Sequence, residues 1–167
     1  MRYIYRDFMR ELPLSVAISA LVKDGNILLI KRARGDYAGL WGMPGGKIEK
    51  NEHLSEAAVR EIREETGIES EFRSLLGFVS EHLVENGSVS AHLLLHVCEL
   101  FPLSDEISCN AEGQSEWFSM DEIESMRSQI IPSDFLMIEK FVKSREGNYY
   151  NCILEKVGDE YKLRKFE

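Results

Sequence analysis

Residues 46–68 read GKIEKNEHLSEAAVREIREETGI, and this stretch predicts a helix with carboxylates crowded on one face. Good helix formers run from residue 54 to 66, and a glycine follows where helices commonly end. Three acidic residues lie near that end: Glu61, Glu64 and Glu65. They fall within about a third of the helix circumference, and each like-charge pair costs about 0.2–0.5 kcal/mol. The cluster is therefore either a solvated surface or a cation site.

The composition is that of an ordinary globular chain with an acidic balance. The 167 residues are 44% hydrophobic and 29% charged, which fits one domain with its own core. The formal net charge of −9 argues against nucleic acid and anionic membrane surfaces as partners, because like charges repel. An anionic substrate would therefore need local positive charge or metal ions.

Targeting and redox signals are weak in this sequence. The N-terminal residues MRYIYRDFMREL scatter charges among apolar residues and lack the apolar core of a signal peptide. No stretch has transmembrane length. The cysteines are widely spaced and form no CxxC pair: Cys98, Cys109 and Cys152. They suggest neither a disulfide framework nor a thiolate zinc site, so we expect a cytoplasmic protein.

Apolar or alternating runs on both sides of the helix predict strands. These runs cover residues 14–22, 27–30, 72–84, 89–100 and 117–118. Asp24-Gly25 separates the first two runs and ENGS, at residues 85–88, separates the next two, and both are turn sequences typical of hairpins. The intervening stretch RARGDYAGLWGMPGG, at residues 32–46, is too rich in glycine and proline for a helix interior.

The C-terminal part predicts one more helix and one more hairpin. The helix runs from about residue 133 to 143, with Ser133 as its N-cap after Pro132. Residues 148–166 alternate apolar and polar side chains around Gly158-Asp159. This hairpin either extends the edge of a sheet or mediates formation of a homodimer. Helices that cover a mixed sheet make an α+β sandwich the expected fold class.

Residues 46–68 also match every specified position of the pattern G-x5-E-x7-R-E-U-x-E-E-x-G-U, where U is a bulky aliphatic residue. The matching residues are Gly46, Glu52, Arg60, Glu61, Ile62, Glu64, Glu65, Gly67 and Ile68. This pattern is the Nudix box, so the chain resembles the Nudix hydrolase family, more loosely over about residues 14–143. The resemblance implies an α/β/α sandwich around a mixed sheet, in a single domain over residues 1–167. Residues 148–167 lie beyond it as a C-terminal hairpin extension.

The resemblance implies a metal site on the predicted helix. Its ligands would be Glu61, Glu64 and Glu65 with the backbone carbonyl of Gly45, while Arg60 would orient the catalytic glutamates. Clustered carboxylates are hard oxygen ligands that suit Mg²⁺ or Mn²⁺, and a bound cation would offset their repulsion. The alternatives are a solvated helix face for the glutamates and an exposed salt bridge for the arginine.

Further acidic residues are implied by the likeness to MutT-like members. In those proteins a glutamate before a Gly-Gln and a Trp-bearing strand reaches the metal centre. The segment AEGQSEWFS, at residues 111–119, puts Glu112 in that place and makes Glu116 its competitor. Glu112 is the better match because it precedes the strand. Glu52 sits near the metals in the family pattern, although attraction to the helix N-terminus explains it equally well.

Three residues are candidates for contacts with the substrate. Arg32 ends the second predicted strand and is either a phosphate contact or a surface cation. Gly46 allows a close approach of the backbone because glycine has no Cβ. In MutT-like proteins the start of the final helix presents a polar side chain to the purine edge, and Asp134 lies there. Its alternative role is a first-turn acid stabilised by the helix dipole. Trp41 is expected to pack near the site, with base stacking as the alternative.

The function implied by the resemblance is hydrolysis of a nucleoside diphosphate linked to another group, with Mg²⁺ or Mn²⁺ as cofactor. Glu61 or Glu112 would accept the proton of the attacking water, and Arg60 and Glu64 complete the catalytic set. Markers for ADP-ribose, dinucleoside polyphosphate and NADH substrates are absent downstream of the box, which favours a nucleoside triphosphate cleaved to monophosphate and pyrophosphate.

Three alternatives stay open at the level of the sequence. One is a nucleotide-sugar or ADP-ribose pyrophosphatase. The second is a Nudix-like binding module without catalysis, although such a module would normally have lost residues of the box. The third is an isomerase of the same fold, which would need an acid and a reactive cysteine in its pocket.

Overall fold

A computed structural model describes residues 12–104, 106–107 and 113–167 of the protein. Nine strands are present in these residues: β1 (Leu14–Lys23), β2 (Asn26–Arg32), β3 (Trp41–Gly42), β4 (Gly45–Lys47), β5 (Ser70–Glu85), β6 (Ser88–Pro102), β7 (Gly113–Ser119), β8 (Tyr149–Val157) and β9 (Glu160–Phe166). The helices are α1 (Leu54–Thr66), a 3₁₀ turn (Arg127–Gln129), α2 (Pro132–Met137) and a π-helix (Ile138–Lys143). None of the helices in these ranges has both the length and the apolar character that crossing a membrane requires.

The strands form one mixed sheet in the order β3-β2-β1-β6-β5-β8-β9. The pairs β1 with β6 and β5 with β8 are parallel, and the other pairs are antiparallel. β4 pairs with β1, while β7 pairs with β2. Strand β1 is thus the centre of the architecture, because it contacts β2, β4 and β6 along its length.

Side-chain alternation along β1 divides the core into two layers. Val16, Ile18 and Ala20 point to one face of the sheet, and Ala17 and Leu21 point to the other. Helix α1 covers the second face, and α2 with the π-helix covers the first. This arrangement confirms the α+β prediction and the α/β/α sandwich.

Both predicted tight turns are confirmed in the first two hairpins. Asp24 and Gly25 have φ angles of 50° and 77°, and Asn86 and Gly87 have 53° and 76°. Two consecutive residues with positive φ characterise the type I′ turn, whose twist matches that of paired antiparallel strands. The Asn-Gly and Asp-Gly sequences favour this turn because both positions tolerate the left-handed region.

The prediction for the second helix is wrong at its start. Ser133 is not the N-cap, because α2 begins at Pro132 and Ile131 occupies the capping position. Proline already has the φ angle of a helix and has no N–H to satisfy, so it serves as the first helical residue. Ser133 is instead buried inside the first turn, and the helix continues as a π-helix from Ile138.

The C-terminal hairpin extends the edge of the sheet, which is one of its two predicted roles. β8 pairs in parallel with β5 from Phe78↔Tyr149 to Glu85↔Lys156, and β9 forms the new edge. Cys152 and Leu154 of β8 are buried in the same core layer as α2. The alternative role in a homodimer stays a prediction.

Replacing Leu154 by alanine should destabilise the protein by about 2–5 kcal/mol, because a fully buried leucine leaves a cavity when truncated. Val157 in the same strand is 47% exposed, so Val157→Ala should cost less than about 0.5 kcal/mol. Urea unfolding curves of the two variants and the wild type measure both values. Equal unfolding midpoints for the two variants would show that the hairpin does not pack on the core.

Candidate active site

Helix α1 is held against the sheet by small and apolar side chains. Ala57, Ala58 and Ile62 are fully buried, and the hydroxyl of Ser19 on β1 donates to the backbone oxygen of Ala58 at 3.3 Å. Small side chains let the helix approach the sheet closely. At its C-terminus Gly67 adopts φ 77° and its N–H bonds to the helix backbone, as predicted for the stop residue.

The guanidinium of Arg60 joins the acidic residues of the box. It donates to Glu52 through Nε at 2.9 Å and through Nη2 at 2.6 Å. Its Nη1 donates to Glu61 at 2.6 Å and to Glu64 at 3.0 Å, and Nη2 also reaches the backbone oxygen of Lys47 at 3.1 Å. One cation therefore contacts three carboxylates and the end of β4.

These contacts go beyond an exposed salt bridge. Only 21% of the Arg60 side chain is exposed, as is 13% of that of Glu52 and 14% of that of Glu61, whereas Glu64 is 55% exposed. The hydrogen bonds from Arg60 and one from a backbone N–H lower the pKa of Glu52 to about 2. Glu52 is thus primarily the bidentate partner of Arg60.

Glu61 and Glu65 lie against the two glycines that precede the helix, Gly46 and Gly45. Glu65 is only 5% exposed, and its Oε2 accepts a 2.9 Å hydrogen bond from the N–H of Gly45. A Cβ at Gly46 would overlap the carboxylate of Glu61, and one at Gly45 would overlap the backbone of β1. Both positions therefore favour glycine, which has no Cβ: Gly46 because of the Glu61 carboxylate and Gly45 because of the β1 backbone.

The donor set of this region fits a hard divalent cation. Glu61, Glu64 and Glu65 supply carboxylate oxygens, and the backbone at Gly45 runs beside them. Within residues 12–104, 106–107 and 113–167, no three His, Cys, Asp or Glu side chains are already grouped as they would be around an ion. Arg60 instead donates to one oxygen of Glu61 and to one oxygen of Glu64.

A cavity of about 350 Å³ lies beside these carboxylates. It has the size of a small-molecule pocket, for which volumes of about 300–1,000 Å³ are usual. Among the residues that line it are the three predicted substrate contacts, Arg32, Gly46 and Asp134, together with Gly45. Leucine and valine side chains from β1, β5 and β6 form its apolar wall.

Asp134 lies deep in this cavity rather than at an exposed helix start. It is 6% exposed, and its Oδ2 accepts a 2.7 Å hydrogen bond from the N–H of Met43. Burial raises the pKa of the Asp134 carboxyl to about 7, with a further contribution from Glu81, while Met43 and Arg32 act in the opposite direction. Asp134 therefore titrates near neutral pH.

Two residues that sequence reasoning missed lie beside Asp134. Glu81 is 1% exposed, and its Oε1 accepts a 2.9 Å hydrogen bond from the hydroxyl of Tyr37. Burial raises the pKa of Glu81, although hydrogen bonds from Ser133, Tyr37 and Cys152 oppose this. The alternation of β5, in which Val79 and Leu83 point inward, places Glu81 on the inward face and is a signal that could have found it.

The remaining predicted residues are placed differently. Glu112 lies outside the described residues. Its competitor Glu116 is on β7 opposite Leu29 and accepts a hydrogen bond from the side chain of Gln114. Trp41 is 6% exposed and packs edge-on against Phe118, which agrees with the packing interpretation rather than with base stacking.

Comparison with known proteins identifies the family. The NUDIX domain model matches residues 13–141. The CTP pyrophosphohydrolase of Escherichia coli is 32% identical over 133 residues, which are 79% of this chain and 93% of that protein. The ADP-ribose pyrophosphatase of Methanocaldococcus jannaschii is 33% identical over 111 residues, or 65% of this chain and 64% of that one. The match spans half or less of several other curated relatives.

A solved structure shares the fold. The MutT protein of Bacillus halodurans superposes with a TM-score of 0.72 at 24% identity, covering 90% of this chain and 97% of that one. The family match includes β1 to β7 and α1. It therefore contains the whole Arg60 cluster, which consists of Arg60 and its partners Lys47, Glu52, Glu61 and Glu64. The chain belongs to the NUDIX domain family.

Proposed function

We propose that the protein is an enzyme that hydrolyses the pyrophosphate bond of a nucleoside diphosphate linked to another group. The observation that carries this proposal is the juxtaposition of the Arg60 cluster with the cavity. Gly46, which lies against the carboxylate of Glu61, and Lys47, whose backbone oxygen accepts from Arg60, both line this cavity. Arg32 and the buried carboxyl of Asp134 line it as well. The anhydride would lie near Gly46 and Arg32, and the nucleoside would lie near Asp134.

Glu61, Glu64 and Glu65, with the backbone carbonyl of Gly45, would hold Mg²⁺ or Mn²⁺. Hydrolases of this family generally use divalent metal ions, and a bound ion polarises phosphoryl oxygens and neutralises charge on the leaving phosphate. The net charge of −9 then presents no obstacle, because the positive field comes from the ion and Arg32.

The chain's own groups would supply proton transfer and orientation. Glu61 or Glu112 would accept the proton of the attacking water. Arg60 would keep Glu61 and Glu64 in position, since it contacts both and is itself fixed by Glu52 and the backbone of Lys47. Gly46 would let the substrate approach the backbone beside Glu61.

For the substrate we favour a nucleoside triphosphate, which water would split into a monophosphate and pyrophosphate. The similarity to the E. coli CTP pyrophosphohydrolase supports the triphosphate class. The buried carboxyl of Asp134 is the reason for preferring a purine base over the pyrimidine base of CTP. A guanine-type edge offers an N1–H and an exocyclic amine that one carboxylate can accept together. Similarity to the M. jannaschii ADP-ribose pyrophosphatase favours ADP-ribose as the second candidate.

The alternative of an isomerase with a reactive cysteine has little support. Burial raises the pKa of Cys98 to about 12, so its thiol stays protonated at neutral pH. Cys152 is buried too, and burial with the nearby Glu81 also raises its pKa. Cys109 lies outside the described residues.

The proposal is tested by incubating the protein with Mg²⁺ and a panel of nucleoside triphosphates, nucleotide sugars and ADP-ribose, and by identifying the products chromatographically. Release of monophosphate and pyrophosphate from a triphosphate would support the favoured reading. Release of AMP and ribose phosphate would select the second candidate. Unchanged substrates throughout the panel would contradict hydrolysis.

Glu64→Gln and Glu65→Gln should each lower kcat by about a hundredfold or more. Even the loss of a residue that only hydrogen-bonds to a metal ligand lowers activity by about tenfold to a hundredfold. Both changes remove charge at nearly constant volume. Glu124→Gln is the control, since Glu124 is 64% exposed and pairs with Arg127 on the surface. Steady-state rates and melting curves measure the effects. Turnover within about threefold of wild type for both variants would contradict metal binding by these residues.

Asp134→Asn should narrow the preference for purine over pyrimidine triphosphates by about tenfold, since hydrogen bonds to charged groups contribute about 1.5–3 kcal/mol. Asparagine is preferable to alanine here because it can still accept the N–H of Met43. With a pKa of about 7, the carboxyl is mostly ionised at pH 8 and mostly protonated at pH 6. The wild-type preference ratio should therefore rise over that range.

The ratio of kcat/KM values for matched purine and pyrimidine substrates is the measurement, because ionisation of the triphosphate cancels in it. In Asp134→Asn the ratio should stay flat between pH 6 and pH 8. A wild-type ratio that neither changes with pH nor responds to the substitution would leave Asp134 as a structural residue alone.

A further inference from the structure

Loop 33–40, between β2 and β3, borders the cavity, and one of its residues has an unusual backbone. Tyr37 adopts φ 65°, a left-handed conformation that residues with a Cβ rarely take. The loop is otherwise exposed except for the partly buried Leu40, yet the Tyr37 side chain is 9% exposed and lines the cavity. Within the loop, the backbone oxygen of Tyr37 accepts from the N–H of Leu40 at 3.0 Å. Such a conformation persists when the surrounding structure supports it as well.

The stabilising contact comes from the C-terminal hairpin. The hydroxyl of Tyr161 on β9 accepts a 2.9 Å hydrogen bond from the backbone N–H of Tyr37, 124 residues away. The two tyrosine rings also pack with centroids 4.4 Å apart. This hydrogen bond is made by Tyr37 itself, so it directly offsets the energetic cost of the left-handed backbone at that residue.

The hairpin anchors the neighbouring Asp36 as well. The Oδ1 atom of Asp36 accepts from the ammonium group of Lys156 at 3.2 Å and from the hydroxyl of Tyr161 at 3.5 Å. Asp36 lines the cavity beside Tyr37. Two strands of the hairpin therefore hold two consecutive residues of the cavity wall.

The same hairpin also contacts Glu81, a buried residue of the cavity wall. Cys152 on β8 lies opposite Glu81 in the parallel pair β5–β8, and its Sγ donates to Glu81 Oε2 at 3.7 Å. Tyr37 donates to the other oxygen of that carboxyl at 2.9 Å. Glu81 is thus held on one side by the hairpin and on the other by the loop that the hairpin fixes.

We propose that the hairpin β8–β9, which lies beyond the matched family domain, is part of the substrate pocket, and that Tyr161 is a positioning residue for its Asp36–Tyr37 wall. The inference rests on the proposed function, because it takes the cavity to hold the nucleoside part of the substrate. Tyr161 contacts Tyr37 and Asp36, which belong to the cavity wall and not to α1. We therefore expect the hairpin to affect binding of the group beyond the diphosphate more than the hydrolytic step.

Tyr161→Phe tests this inference, since it keeps the ring and removes the acceptor for the Tyr37 N–H. Tyr149→Phe is the matched control, because Tyr149 is in the same hairpin and its exposed hydroxyl bonds only locally to Asn151 in the described contacts. Lys156→Gln is a second variant, which weakens the hold on Asp36 from outside the cavity. Urea unfolding establishes that each variant is folded.

The first readout is hydrogen exchange of the Tyr37 amide, which needs no catalysis. It should accelerate about threefold to tenfold in Tyr161→Phe, the range expected for loss of one hydrogen bond, and stay unchanged in Tyr149→Phe. The second readout separates kinetic parameters. KM of Tyr161→Phe should rise by the same factor with kcat within about twofold, and Lys156→Gln should raise KM less.

The outcomes separate the two proposals. If the wild type hydrolyses no substrate of the panel, the proposed function fails and the inference falls with it. If the wild type is active, an unchanged Tyr37 exchange rate or an unchanged KM in Tyr161→Phe overturns the inference alone. A fall in kcat with constant KM would also overturn it, because it would place Tyr161 in the chemical step.

Discussion

The site depends on the attraction between Arg60 and the carboxylates around it. Without that cation, the carboxylates of Glu52, Glu61 and Glu64 would repel one another, and the first two are largely buried, where water screens charge poorly. With it, the guanidinium is fixed on one side by Glu52 and the backbone of β4, and its Nη1 donates to Glu61 and Glu64, two of the three carboxylates proposed as metal ligands. The loop before the helix, the helix itself and β4 are thereby joined at one point.

This arrangement has a consequence for metal binding. A divalent ion at the proposed site would share the carboxylates of Glu61 and Glu64 with Arg60, which contacts one oxygen of each. Glu52 would still hold Arg60 when an ion is bound, because its bidentate contact involves neither Glu61 nor Glu64. We infer that Arg60 keeps Glu61 and Glu64 together, as the proposed metal site requires. The buried Ala57 and Ala58 fix helix α1 on the sheet, which keeps the glutamates of the helix at a constant spacing.

The box helix and the sandwich could be predicted because their signals are local. The period of α1, its stop at Gly67 and the Asp-Gly and Asn-Gly turns are each encoded within a few residues. The start of α2 was predicted wrongly, since Pro132 and Ser133 both favour a helix start and the proline prevailed. This error of one residue arises because two neighbouring residues both favour the start of a helix.

The wall of the cavity could not be predicted, because its contacts join distant parts of the chain. Tyr37 meets Glu81 across 44 residues and Tyr161 across 124, and no periodicity records such pairs. The inward position of Glu81 was accessible from the alternation of β5, but a burial preference for apolar residues concealed it. The placement of Asp134 inside the cavity also follows from tertiary packing rather than from its position in a helix.

The most direct test of the metal site is a titration of Mn²⁺ in which electron paramagnetic resonance measures the free ion. The test variant is Glu61→Gln/Glu64→Gln/Glu65→Gln. The control removes the same charge from exposed positions and is Glu124→Gln/Glu160→Gln/Glu167→Gln. Binding should weaken at least about tenfold in the first variant and remain as in wild type in the second. Equal Mn²⁺ affinity in both variants would contradict metal binding by the carboxylates of α1.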